Sequence, residues 1–350
     1  MSGSYTIFAG TVGMSLWSSN DSGKTWRTLW GAGLPFGSIS PYEGQVRAIA
    51  VDPSNSKTIW AGDEIGVLKS EDGGKTFKRM NGAVDGFCIW SIAVDPLDSN
   101  IVFAGAREAD VFRSKDGGKT WRKLNTGMPK TCMIGIPRVT RLGVDPGDHR
   151  HIWAVVEAGG PWRSFDGGDT WQQVWGGLVN EHKHQDMHSL SILPNTQLTP
   201  SSHDGYVTLG AGRKTTVIFT AVSGVFATDD NGETVRPIIN SETSPMPYFQ
   251  IAAVRPDDPK TIFVGIGDSL PGSIGAIVKT TDGGHTWEKM DLPVLPNSEV
   301  HNIVLNPANP DQIIANSIFG QFYTSEDAGK HWSKLHRELS EVRMLAIVPN

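Results

Sequence analysis

Ser114-Lys115-Asp116-Gly117-Gly118-Lys119-Thr120-Trp121 is one of seven related stretches in this 350-residue chain. The others are Ser18–Trp26, read with Asn20 as an extra residue, Ser70–Phe77, Ser164–Trp171, Thr228–Val235, Thr280–Trp287 and Ser325–Trp332. Their aspartates, Asp21, Asp72, Asp116, Asp166, Asp230, Asp282 and Asp327, stand 44 to 64 residues apart. These residue types describe a tight turn between two short strands. Asp and Ser side chains bond backbone N–H groups. Gly supplies a positive φ. The Trp opens the next strand with a large apolar plate. Each Asp is therefore expected to serve its own turn rather than act as a catalytic acid or a calcium ligand.

Working outward, a second pattern lies between the turns. Val46–Pro53 is followed by Thr58–Gly62, then Gly66–Ser70, the turn, and Thr76–Met80. Short runs of β-branched and aromatic residues bounded by Gly, Pro, Asp and Asn read as strands, here four per unit, A to D. A repeat of this length means stacked supersecondary units that bury their faces against one another. The A strands end at Pro53, Pro96, Pro146, Pro194, Pro256, Pro307 and Pro349. The chain opens on strands B, C and D and closes on a lone A strand, Arg343–Pro349. Placing that strand in the first unit closes the ring without an open edge. The expected fold is all-β: one seven-bladed β-propeller, with blades at 343–349 plus 5–30, 46–82, 89–125, 139–176, 187–238, 249–292 and 300–336.

The pattern S/T-x-D-x-G-x-T-W resembles the Asp-box, or BNR repeat, of sialidases, xyloglucan-specific glycosidases, sortilin-type receptors and photosystem II assembly factors. The resemblance covers nearly the whole chain and implies a β-propeller. It leaves function open, because those families do different things on related architecture. Two copies are worn. Asp230–Val235 lacks the Trp, and Asp327–Trp332 lacks the first Gly and the Thr.

Composition narrows the partners. Forty Gly and 21 Pro suit a chain of many turns, and the formal net charge of −6 argues against nucleic acid. No apolar run is long enough to span a membrane as a helix. Strand signals begin at Tyr5, so no signal peptide is expected; a cytoplasmic location follows, or a secreted one if a leader was removed. Cys88 and Cys132 are expected to be free thiols. A monomer is compatible with a closed ring. The A–B connection of the fifth blade, Asn195 to Lys214, is much longer than its counterparts and reads as a surface insertion.

Candidate chemistry comes from aligning the A strands on their prolines. Four and two residues before Pro the positions are almost all large and apolar. Six before Pro stand Arg47, Trp90, Thr140, His188, Gln250, His301 and Arg343. Period-two alternation keeps them on the same strand face, at the mouth of the axial channel. Converging polar groups there make the default site. His188 and His301 are candidate acid/base groups or metal ligands. Arg47 and Arg343 are candidate forks for a carboxylate or developing oxyanion. Trp90, Thr140, Gln250, Glu64 and Glu157 are candidate substrate contacts. A divalent metal would draw on His188, Gln250 and His301, with His182 or His184 from the His-rich run Glu181–His188. No organic cofactor is expected.

Three functions follow. The leading one is an enzyme acting on a small polar, anionic or saccharide substrate in the funnel, by hydrolysis or β-elimination. The second is a non-catalytic propeller that grips a protein tail. The third is a glycoside hydrolase using B–C turn acids (Asp63, Glu64, Glu108, Asp110, Glu157, Asp268). Resemblance to the xyloglucan-specific glycosidases would place Glu64 near their catalytic acid, but that family completes its cleft with a second propeller. Trp30, Trp162 and Trp175 join Trp90 as candidate stacking residues.

Overall fold

The computed structural model describes residues 4–29, 44–132, 135–175, 185–193, 196–200, 207–211 and 215–350. These form seven four-stranded antiparallel sheets, one per expected blade. The inner strands are Val46–Asp52, Ile89–Val94, Val139–Val144, Met187–Leu193, Tyr248–Val254, Val300–Asn306 and Val342–Pro349. Each packs on the inner strand of the next blade, and the last packs on the first, so the ring is closed. Closure is the one expected: Val342–Pro349 pairs with Tyr5–Thr11, with Ile7 opposite Ile347. The fifth-blade insertion contains its own hairpin, Thr196–Pro200 with Val207–Ala211.

The turns are built as their residue types require. The Ser114 hydroxyl donates to Asp116 Oδ1 at 2.8 Å and accepts from the Gly118 amide at 2.8 Å. Asp116 also accepts from the Thr120 amide and hydroxyl, at 2.8 and 2.6 Å. These bonds, led by the Thr120 hydroxyl, pull the Asp116 carboxyl down to about 2. The Trp121 indole donates to Gly118 O at 3.1 Å. Gly118 has φ +90°, and a Cβ there would meet the Trp60 ring of the neighbouring blade at 2.6 Å. Only glycine therefore fits both the turn and the blade-to-blade contact.

The first copy corrects the reading given above. Ser19, not Ser18, holds Asp21 (2.8 Å) and receives the Gly23 amide (2.8 Å), so the copy runs Ser19–Trp26 with no inserted residue. In the last copy His331 replaces Thr, and its Nδ1 lies 2.5 Å from Asp327 Oδ2. Cys88 and Cys132 are free thiols. No helix among the described residues is long and apolar enough to cross a membrane.

Candidate functional site

Every inner strand breaks its ladder at the same place. Val46 pairs with Asp63 and Ala48 with Gly62, which leaves Arg47 unpaired between them. The same bulge leaves Trp90, Thr140, His188, Gln250, His301 and Arg343 unpaired in the other six blades. The residue six before Pro is thus not a continuation of the strand alternation, as the sequence suggested. It is the extra residue of a β-bulge, released from the ladder and re-aimed at the axis. The residue just before it (Val46, Ile89, Val139, Met187, Phe249, Val300 or Val342) is apolar and fully buried.

All seven bulge residues line one cavity of about 130 Å³ at the funnel mouth. Arg138, Arg141, Glu157, Tyr248 and Leu270 complete its wall. Bulges free backbone carbonyls, and side chains of the preceding blade take several of them up. Thr140 Oγ1 donates to Met187 O at 2.9 Å and Ser91 Oγ to Val139 O at 2.8 Å. His188 Nδ1 lies 2.7 Å from Phe249 O, and because a carbonyl only accepts, Nδ1 carries a proton and Nε2 is the ring's second position. That Nε2 is 3.4 Å from the Tyr248 hydroxyl, which donates to Gln250 Oε1 at 3.0 Å.

A second ring stands two residues upstream, at the entry to the same strands, eight before Pro: Gln45, Cys88, Arg138, Asp186, Tyr248, Glu299 and Glu341. Six of its members touch the bulge residue of their own blade. Arg47 donates to Gln45 and the Trp90 indole to Cys88 Sγ (3.1 Å). His188 faces Asp186 (3.5 Å), Tyr248 bonds Gln250, and Arg343 is paired with Glu341. His301 Nδ1 bonds Glu299 Oε1 at 3.0 Å, with Glu299 fully buried. Burial pushes the Glu299 carboxyl up to about 8. Burial, then the charges of Arg343, Arg141 and His188, pull His301 well below the usual histidine value. Both shifts favour the neutral forms, and in that state Glu299 donates to Nδ1 while His301 keeps its own proton on Nε2.

The charges are nearly balanced. Arg47 pairs with Glu64 (2.7 Å) and Arg138 with Glu157 (2.7 Å). Glu64 and Glu157 therefore hold the arginines of the rim. Arg141 differs. It donates to Thr140 O at 2.8 Å and has no acidic partner among the described residues, and desolvation lowers its pKa to about 10. The Trp90 ring lies between the Arg47 and Arg138 guanidiniums, each 4.5 Å from its centroid, so a sugar could stack there only by displacing one.

Three of the remaining B–C acids are occupied. Asp63 is held by Arg79 (3.1 Å) and Asp110 by Lys123 and Lys130 (2.7 and 2.6 Å). Asp268 caps its own loop through the Ser273 amide (2.9 Å). Glu108 is exposed on a loop with φ +70°. Trp162 is buried and bonded to Gly159 O, while Trp30, His182 and His184 lie outside the described residues. No group of three His, Cys, Asp or Glu among the described residues is placed to hold a metal ion. Arg138, Arg141, Tyr248 and Glu299 were not among the sequence candidates. Three of them stand eight before Pro, where the same alignment, extended by two residues, shows seven polar positions.

Comparison with known proteins places this geometry. A 128-residue stretch is 29% identical to xyloglucanase Xgh74A of Acetivibrio thermocellus, taking in 33% of this chain and 15% of that enzyme. The GH74 xyloglucanase from Xanthomonas campestris superposes with a TM-score of 0.61 at 19% identity, over 83% of this chain and 45% of that one. The chain thus spans less than half the length of either. A structure of YCF48 bound to D1 peptide superposes with a TM-score of 0.52 at 16% identity, over 83% of this chain and 81% of that one. At such identities the structural likeness speaks to fold. The Sortilin-Vps10 family model (sortilin, neurotensin receptor 3) matches residues 66–174 and 223–346, more than half of the sequence, and the chain belongs to that family.

Proposed function

We propose that the funnel binds a small organic anion and transfers a proton to or from it. Arg141, a desolvated cation with no carboxylate partner among the described residues, carries this reading. A buried charge left uncompensated is costly, and an incoming anion supplies the missing partner. Arg343, partly buried on the far side of His301, adds a second cation. In its neutral form His188 offers the bare Nε2 of a base. His301 offers an Nε2–H backed by the Glu299 carboxyl, which can pass its proton to Nδ1 as Nε2 gives one up. A base and an acid held in opposite tautomers in one cavity suit hydrolysis or β-elimination. The small volume favours a small molecule over a polysaccharide chain, and a saccharide would enter as a single unit or chain end.

The test is titration of the purified protein with acetate, propionate and benzoate, alongside Arg141→Met. Saturable binding lost in the variant supports an anion seat. Equal binding by both proteins, or none by either, sinks it. A parallel turnover screen with His188→Ala and His301→Ala separates an enzyme from a propeller that only binds. Elemental analysis of the same samples decides whether a divalent ion uses the two imidazoles and Gln250.

A further inference from the structure

We infer that the funnel's ligand is a short hydroxycarboxylate, a molecule with one carboxylate and at least one hydroxyl; this rests on the anion site proposed above. Buried polar atoms without hydrogen-bond partners gather around the cavity, and they are of both kinds. Glu157 Oε2, Asp186 Oδ1 and Glu299 Oε2 are acceptors; Arg138 Nε and Arg343 Nε are donors. Glu157, Arg138 and Arg343 line the cavity itself, while Asp186 and Glu299 stand directly behind His188 and His301. They come from four blades on different sides of the axis. Buried polar atoms are seldom left without partners, so such a cluster marks where a ligand or ordered water completes the structure.

A plain carboxylate has no protons to donate and would serve only the arginines. A plain polyol could meet the acceptors, yet it brings no charge to Arg141. A hydroxycarboxylate meets both demands: its carboxylate lies on Arg141 and Arg343, and its hydroxyl donates towards Glu157. Size agrees. A cavity of about 150 Å³ takes a benzene ring, so one of about 130 Å³ seats roughly six non-hydrogen atoms. That suits a three-carbon hydroxy acid, and a longer one would project through the mouth past Leu270.

The probes are D-glycerate, L-glycerate, propionate and glycerol, each titrated calorimetrically into the full chain and into Glu157→Gln, with thermal melts to verify that the variant folds. Glycerate is expected to bind at least about tenfold tighter than propionate, the worth of one well-made hydrogen bond to a charged group. Glycerol should not saturate, and Glu157→Gln should narrow the glycerate-to-propionate ratio. Equal affinity for glycerate and propionate would overturn hydroxyl recognition while leaving the anion site standing. Glycerol binding as tightly as glycerate, or no binding by any probe, would overturn both.

Discussion

The two faces of the ring are built from repeats of equal number, but the repeats do opposite things. On the Asp-box face the same residues recur, and the side-chain hydrogen bonds of each turn close within five residues, as those of Ser114, Asp116 and Thr120 do. At the funnel mouth the same backbone device, a bulge, recurs seven times, yet the residue it carries changes from blade to blade. Where bonds are local, one good solution can be copied around the ring. Where seven side chains converge on one cavity, copying would stack like charges, so the positions must differ. Stability and the proposed function are thereby placed on separate faces.

The electrostatics divide in the same way. The box aspartates are held low; Asp282 lies at about 2, where desolvation is outweighed by the bonds of Thr286, Thr280 and the His285 amide together. Their contribution to stability is present above the ordinary carboxylate value and is lost as pH falls towards 2. Glu299 has the opposite sign. With its pKa raised to about 8, the folded state keeps a proton that the unfolded state releases near 4.5. Stability from that group is full below 4.5 and is lost as pH rises to 8.

Four experiments would break or sharpen this division. The largest stability effect is expected from Gly74→Ala on the box face. A Cβ there meets the Phe8 ring at 2.5 Å on a backbone with φ +80°. A loss of about 3 kcal/mol in denaturant unfolding is expected, with funnel binding intact at low temperature. Arg141→Met should do the reverse. Anion affinity should drop about 30-fold, roughly 2 kcal/mol, while the melting temperature holds or rises because a partly buried charge with no acidic partner among the described residues is gone. A melting temperature that falls sharply instead would make Arg141 structural and blur the two faces.

Asp282→Ala should cost about 1–2 kcal/mol by removing the caps on the Thr286 amide and hydroxyl, without moving ligand affinity. The smallest effect is a slope. Between pH 5 and 8 the parent should lose at most about 1.4 kcal/mol per pH unit through Glu299, and Glu299→Gln should flatten that loss. Identical pH profiles for the two proteins would mean that Glu299 is ionised in the folded state.

Much of the fold was legible because its signals are short-range. The side-chain caps of each turn reach no more than four residues, the proline that ends each inner strand sets its register, and the lone final strand announced the seam. The ring of Arg47, Trp90, Thr140, His188, Gln250, His301 and Arg343 was legible too, through its fixed offset from those prolines. Its origin was not. Strand alternation contains no mark of a bulge, because the extra residue is defined only against the partner strand. Glu299 looked like an ordinary surface acid beside Ser298, and Arg141 like any strand arginine; nothing local says that one is fully buried and the other lacks an acid.

Seven turns, their spacing and the order of their strands were therefore written in the chain itself, since each depends on neighbours along the backbone. Which side chains face one another, which imidazole keeps which proton and which arginine lacks a partner were decided only when seven blades closed around an axis. Burial and charge pairing belong to the assembled ring, because they are set by atoms hundreds of residues apart in sequence, as Val342–Pro349 against Tyr5–Thr11 is.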